Sequence, residues 1–157
     1  MTYAAEEPRL KEIAARRNDG KVEYDSSLYM NPKSHYFGVL GEWCLSQLIG
    51  IPFDENEYAA GDGGSDFHLV DVKGSSYWRS PDLKLFEKDL DSISEYFALA
   101  AVNEPRKQVR YVGFITKADF KSKMIVKNYG HGKRLVIEFG GLIEELPPIS
   151  ALTNGDK

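Results

Sequence analysis

The pattern of apolar and polar positions divides the chain into a helical front and a β-rich remainder. Residues 4–17 (AAEEPRLKEIAARR) predict a helix, because Leu10, Ile13 and Ala14 recur at helical spacing and Pro8 fits a first turn. Asn18-Asp19-Gly20 stops it. Residues 21–33 read as irregular, ending at Asn31-Pro32. Ser34 offers an N-cap for a second helix that runs to about Ile49 and closes at Gly50 and Pro52. Phe37, Val39, Leu40, Trp43, Cys44, Leu45, Leu48 and Ile49 cover nearly its whole circumference, the mark of a buried helix. Residues 54–65 form a polar, Gly-rich connection. A strand follows over 66–73 (DFHLVDVK), ended by Gly74-Ser75-Ser76. Residues 81–94 are ambiguous, with a short helix after Ser80-Pro81 as one reading. Tyr96–Val102 and Val109–Thr116 predict a hairpin with a six-residue loop; a continuous helix through Ile93–Val102 competes, since Ala and Leu are frequent there. Another strand pair, about 124–128 and 134–139, flanks a turn at 128–132, and the tail over 147–157 is expected to be loosely held.

A length of 157 residues suits one domain with a real core, and the mixed elements make it α/β. The domain core is expected over about 34–139, with 1–33 as an N-terminal helix and loop. The single cysteine, Cys44, excludes an intrachain disulfide and a cysteine zinc site. His35, His68 and His131 do not make a zinc spacing. The acidic start MTYAAEEPRLKE does not resemble a targeting peptide, and no apolar run approaches the roughly 20 residues of a membrane span. A cytoplasmic protein without a membrane partner is the expectation.

Charge changes the picture. The net charge is −4, yet residues 1–72 carry −7 and residues 105–134 carry +8. The basic stretch reads either as a phosphate-contacting surface or as a solvated hairpin with ordinary lysines.

The segment Val70-Asp71-Val72-Lys73 carries the most chemistry. Along a strand, Asp71 and Lys73 point to one side and the two valines to the other. Glu42 lies within the apolar helix. Burying that carboxylate costs several kcal/mol unless a metal or a lysine compensates; alternatively it lies on an exposed stripe with Gly38 and Ser46. Asp66 and Asp71 would face opposite ways on one straight strand. A tight turn at His68-Leu69 would make them cross-strand partners, although His-Leu is a poor turn sequence; a bulge would also serve. Asp66 is otherwise a turn residue, with Asp62 as the substitute acid. Two or three carboxylates around one point suit a hard divalent cation such as Mg²⁺, which can bind a phosphate oxygen and a water together. A lysine two residues from a ligand can orient that water or stabilise the transition state.

Gly38-Val39-Leu40-Gly41-Glu42, then Asp66, then Asp71-Val72-Lys73 resemble the PD-(D/E)xK nuclease superfamily in order and interval. The following segment, Tyr111-Val112-Gly113-Phe114-Ile115-Thr116-Lys117, is similar to small phage and restriction-type members, and the match covers roughly residues 34–117. The resemblance implies an α/β, restriction-endonuclease-like core with a central mixed sheet flanked by helices. It implies Mg²⁺-dependent hydrolysis of DNA, with Mn²⁺ substituting. Asp66 and Asp71 would hold the metal, with the Val72 carbonyl often recruited; Lys73 would position the attacking water, and Glu42 would assist. Ser65 stands where the signature has proline, and only four residues separate Asp66 from Asp71, fewer than the usual hairpin. Arg110, Lys117, Lys121, Lys123 and Lys127 would then track the DNA backbone. The expected product is a DNA endonuclease of low sequence specificity, acting in a host cell if virus-encoded. A catalytically inactive DNA-binding or assembly protein is one alternative; a junction-resolving nuclease, which would need a homodimer, is another.

Other motifs fall away. An EF-hand starting at Asp62 would need Gly and Glu where Phe67 and Lys73 stand. Gly61-Asp62-Gly63-Gly64 lacks the context of a nucleotide loop. Tyr77 and Trp78 read either as stacking platforms or as half-buried aromatics.

Overall fold

The computed structural model describes residues 1–19, 32–51, 67–130 and 132–153. A 3₁₀ turn at Ala4–Glu6 leads into helix α1 (Glu7–Asp19), and α2 spans Pro32–Ile49. Strand β1 (Val70–Ser75) is followed by β2 (Leu83–Leu85), a 3₁₀ turn at Glu87–Asp91, β3 (Tyr96–Asn103) and β4 (Gln108–Thr116). Helix α3 (Lys117–Lys123), β5 (Ile125–Asn128), β6 (Lys133–Ile137) and the single turn α4 (Ile149–Leu152) complete the order.

Among the described residues the strands form two three-stranded sheets. The first is mixed: β1 runs parallel to β3, and β3 antiparallel to β4. The second is antiparallel, in the order β2-β6-β5. The β3–β4 hairpin matches the expected one, with a four-residue loop, and the helix competing for its first half is not formed. Tertiary packing explains why the alanines do not make a helix. Every residue from Phe97 to Val102 is buried, so the strand is central and enclosed on both faces. Ala98, Ala100 and Val102 pack toward α1 and α2, where small side chains let a helix approach, while Phe97 and Leu99 pack toward the second sheet.

The molecule is therefore layered as helices, mixed sheet, antiparallel sheet. The expectation of a central mixed sheet holds, with α1 and α2 on one face and, among the described residues, mainly a second sheet on the other. Leu83, Leu85, Leu135 and Ile137 of the second sheet, with Phe120 of α3, cover the other. Part of the stretch left ambiguous at 81–94 is strand β2, because Leu83 and Leu85 both point into this core.

Several boundaries differ from those read in the sequence. Helix α2 starts at Pro32, so Ser34 lies inside its first turn and is not the N-cap. It ends where expected: Gly50 takes φ +71° and its N–H returns to the Ser46 carbonyl. Strand β1 continues through Gly74-Ser75 instead of ending there. The tail is not loose as far as Thr153. Ala151 and Leu152 are buried at 3% and 4% exposure, and the Ala151 carbonyl accepts from Leu69 N–H. Among the described residues, no helix is long and apolar enough to cross a membrane.

Candidate active site

Strand β1 divides its side chains as the alternation requires. Val70 and Val72 join the core beneath α2, and Asp71 and Lys73 project from the opposite face, beside Phe97 and Leu99 in register. The approach of α2 to β1 is close. A Cβ on Gly41 would lie 3.0 Å from the Val72 side chain, and one on Gly74 would collide with the Phe37 carbonyl. The glycines flanking the Asp-x-Lys segment thus set the depth at which the strand sits under the helix.

Asp71 is buried at 8% exposure, and the Lys73 ammonium stands 3.1 Å from its carboxylate. The ion pair confirms that the two share a face. A third group, which the sequence did not reveal, joins them. Asp89, on the 3₁₀ turn after β2, accepts from Lys73 at 3.3 Å through one oxygen. Its other oxygen accepts from Phe86 N–H at 2.8 Å, which fixes the carboxylate. The only local signal was an acid three residues after the start of a turn, and nothing in the spacing tied it to Lys73.

Glu42 is buried at 4% exposure, with Ser46 at 5%, so it does not lie on an exposed stripe. It is carried by the helix covering the valine face of β1, the face opposite Asp71 and Lys73. Asp66 and Asp62 lie outside the described residues. The turn on which a pairing of residues 66 and 71 was conditional is present: Phe67 and Val70 form an antiparallel bridge around His68-Leu69. His68 takes a positive φ of 23°. Tertiary bonds compensate for the poor turn sequence. Leu69 N–H donates to Ala151, and the Leu69 carbonyl accepts from both Glu95 and Tyr96 N–H.

The cations expected to track DNA are distributed unevenly. Lys121 and Lys123 are exposed on α3. Lys117 donates to the Ser92 carbonyl at 2.6 Å, and Lys127 pairs with Glu138 at 3.0 Å. Arg110 lies over the Trp78 ring and donates to the Trp78 carbonyl, which anchors that half-buried aromatic. Tyr77 is 62% exposed. Trp78 also lines a cleft of about 440 Å³ with Phe37, Val102, Asn103 and Glu104.

Among the described residues, no three His, Cys, Asp or Glu side chains are grouped to hold a metal ion. The donors that are present, the Asp71 and Asp89 carboxylates, are hard oxygens of the kind Mg²⁺ and Mn²⁺ accept. No protein family, curated protein or solved structure matches the chain.

Proposed function

We propose that this chain is a metal-dependent DNA endonuclease of low sequence specificity, in the manner of the PD-(D/E)xK nucleases. One observation carries the reading. A buried carboxylate and an ammonium stand 3.1 Å apart on one face of a strand whose other face is locked under a helix. Such a pair is rigid, which suits a group that must hold its place while a phosphodiester is attacked.

In this reading Asp71 would hold the cation, with Asp66 and the Val72 carbonyl as further oxygen donors. A bound Mg²⁺ would lower the pKa of a water and neutralise charge developing on the phosphate. Lys73 orients the attacking water and stabilises the negative charge on the transferred phosphoryl oxygens. Asp89 holds Lys73 from the far side, so that the ammonium is aimed by two carboxylates. Glu42, on the helix over the strand's opposite face, would act on the site only indirectly.

The second reading is a non-catalytic protein that keeps a nuclease-like fold. It is favoured by Lys73 itself, since an ammonium clamped between Asp71 and Asp89 also serves as a plain structural ion triad. Incubating supercoiled plasmid with purified protein and Mg²⁺ or Mn²⁺ separates the two. Nicking by the wild type that disappears in Asp71→Ala and Lys73→Ala, with both variants folded, supports the nuclease. A folded wild type that leaves plasmid intact with either metal supports the second reading. Nicking that survives both substitutions removes Asp71 and Lys73 from the chemistry.

A further inference from the structure

Tyr77 and Trp78 lie just past the end of the strand that carries Asp71 and Lys73. Strands β1 and β3 are parallel neighbours, and both run out at the same end of the first sheet, β1 at Ser75 and β3 at Asn103. The segments leaving that end, residues 76–79 and 103–105, line the cleft of about 440 Å³, to which Phe37 and Val102 add apolar surface. Ligands of α/β sheets gather outside the carboxyl ends of parallel strands, because the diverging connections leave a crevice there. Local contacts build this one. Tyr77 N–H donates to Ser75 Oγ at 3.1 Å, which fixes the turn out of β1. Arg110 donates to the Trp78 carbonyl at 2.6 Å and lays its guanidinium over the indole, 5.4 Å from the ring centroid. Lys84 takes one face of the Tyr77 ring, at 4.9 Å. Trp78 is half-buried, while Tyr77 stays 62% exposed, so the cleft keeps an open wall. Arg106 N–H donates to Asn103 Oδ1, which orients that amide.

We infer that this cleft receives one unpaired base of a DNA strand, so that the substrate class is single-stranded or locally unpaired DNA. The choice of polymer rests on the DNA reading above; the form of the polymer comes from the cleft. Its lining groups match the parts of a nucleotide. An aromatic ring such as Trp78 stacks on any base, because every base has a π-face. Asn103 and Glu104 are side chains of the kind that bond base edges: the amide donates and accepts, and the carboxylate accepts from exocyclic amino groups. Arg79 lines the cleft from an exposed position suited to a phosphate, and Pro105 begins the basic stretch that runs to Arg134. Size decides between the forms of DNA. The volume suits a single small ligand, and a stacked duplex cannot enter it. A base has to leave the stack to reach Trp78. Tyr77 follows Lys73 by four positions, within about 13 Å along an extended chain. The bound base thus lies a few nucleotides from a phosphate at Lys73.

Fluorescence anisotropy in EDTA, so that nothing is cut, compares a labelled single strand of about 20 nucleotides with the same strand annealed to its complement. The wild type is expected to bind the single strand about five-fold more tightly or better. Trp78→Ala is expected to weaken single-strand binding about ten-fold and duplex binding less than about two-fold. The Arg110 bonds run to the carbonyl of residue 78 and survive that substitution, so the loop keeps its anchor. Tyr77→Ala, at an exposed position, is expected to weaken single-strand binding about three-fold. Tryptophan emission supplies a readout that a merely structural role would not move. The single strand should quench the wild type but not Trp78→Phe, in which the remaining Trp43 is buried. Should Trp78→Ala fail to fold, Tyr77→Ala and this difference in quenching decide the matter. Equal affinity for the two forms of DNA, unchanged single-strand binding in folded Trp78→Ala, or no quenching overturns the inference. Tighter binding of an RNA strand of the same sequence overturns the choice of DNA. Single-strand binding that depends on Trp78, without cutting in Mg²⁺ or Mn²⁺, strikes only the nuclease reading. Metal-dependent cutting, with single-strand binding indifferent to Trp78 and Tyr77, strikes only the cleft.

Discussion

Gly74 sits in the middle of the contact between β1 and α2, where any Cβ would press on the Phe37 carbonyl. The obstructing atom belongs to helix backbone and cannot rotate away. Gly74→Ala is therefore expected to destabilise the fold by about 2 kcal/mol, the scale of an overpacked core. The shift in urea midpoint measures it, and an unchanged midpoint would mean that α2 yields more readily than its packing suggests. The same residue explains why the sequence ends the strand at Lys73 when β1 runs on to Ser75. Gly-Ser-Ser resembles a strand ending in sequence, but here the glycine is required by close approach of a helix and the strand runs through it. Asp89 shows the opposite limitation. Its neighbourhood announces a turn, while its role at Lys73 depends on a contact across 16 positions that no local pattern encodes.

At the scale of elements, the turn at His68-Leu69 depends on a helix at the far end of the chain. Leu152 anchors α4 in the core, and α4 in turn supplies the Ala151 carbonyl to Leu69 N–H. Leu152→Ala is expected to cost about 2–4 kcal/mol from lost burial and the cavity left behind. It should also speed amide hydrogen exchange at Leu69 more than at the central strand β3, which NMR would resolve. Uniform acceleration across both sites would show that the turn opens only with the whole molecule. The tail read from its prolines as loose is in this way part of the platform under Asp71.

At the scale of the whole molecule, burial keeps several weak acids neutral. Burial pushes the Cys44 thiol up to about 11 from an ordinary value near 9.0. It also raises the phenols of Tyr3, Tyr36 and Tyr111. Each of these groups ionises more readily in the unfolded chain than in the folded one. Their contribution to stability is thus complete below about pH 9 and declines as pH rises through the folded values. The depressed Lys84 acts in the reverse sense, but four raised acids oppose it. The urea midpoint should accordingly be flat from about pH 7 to 8.5 and fall clearly by about pH 10.5. A midpoint unchanged across that range would mean that these groups titrate alike in both states.

Periodicity determined a good deal by itself. Leu10, Ile13 and Ala14 are buried as their spacing requires, α2 is enclosed on nearly every side from His35 to Ser46 although Leu48 in its last turn is exposed, and the hairpin from Tyr96 to Thr116 forms as the apolar runs predict. Alternation alone placed Asp71 and Lys73 on one face, and their ion pair follows from it. These features are local, because a strand or helix fixes the relative direction of side chains a few residues apart. Only the tertiary structure decided that a second sheet, joined by Phe120 of α3, covers the far face of the first. The same is true of Asp89 at Lys73, the support of an unfavourable turn by Ala151, and the placing of Lys84 and Arg134 over aromatic rings. Each joins segments distant in sequence, and such meetings are set by which apolar faces can be buried together, a property of the assembled core.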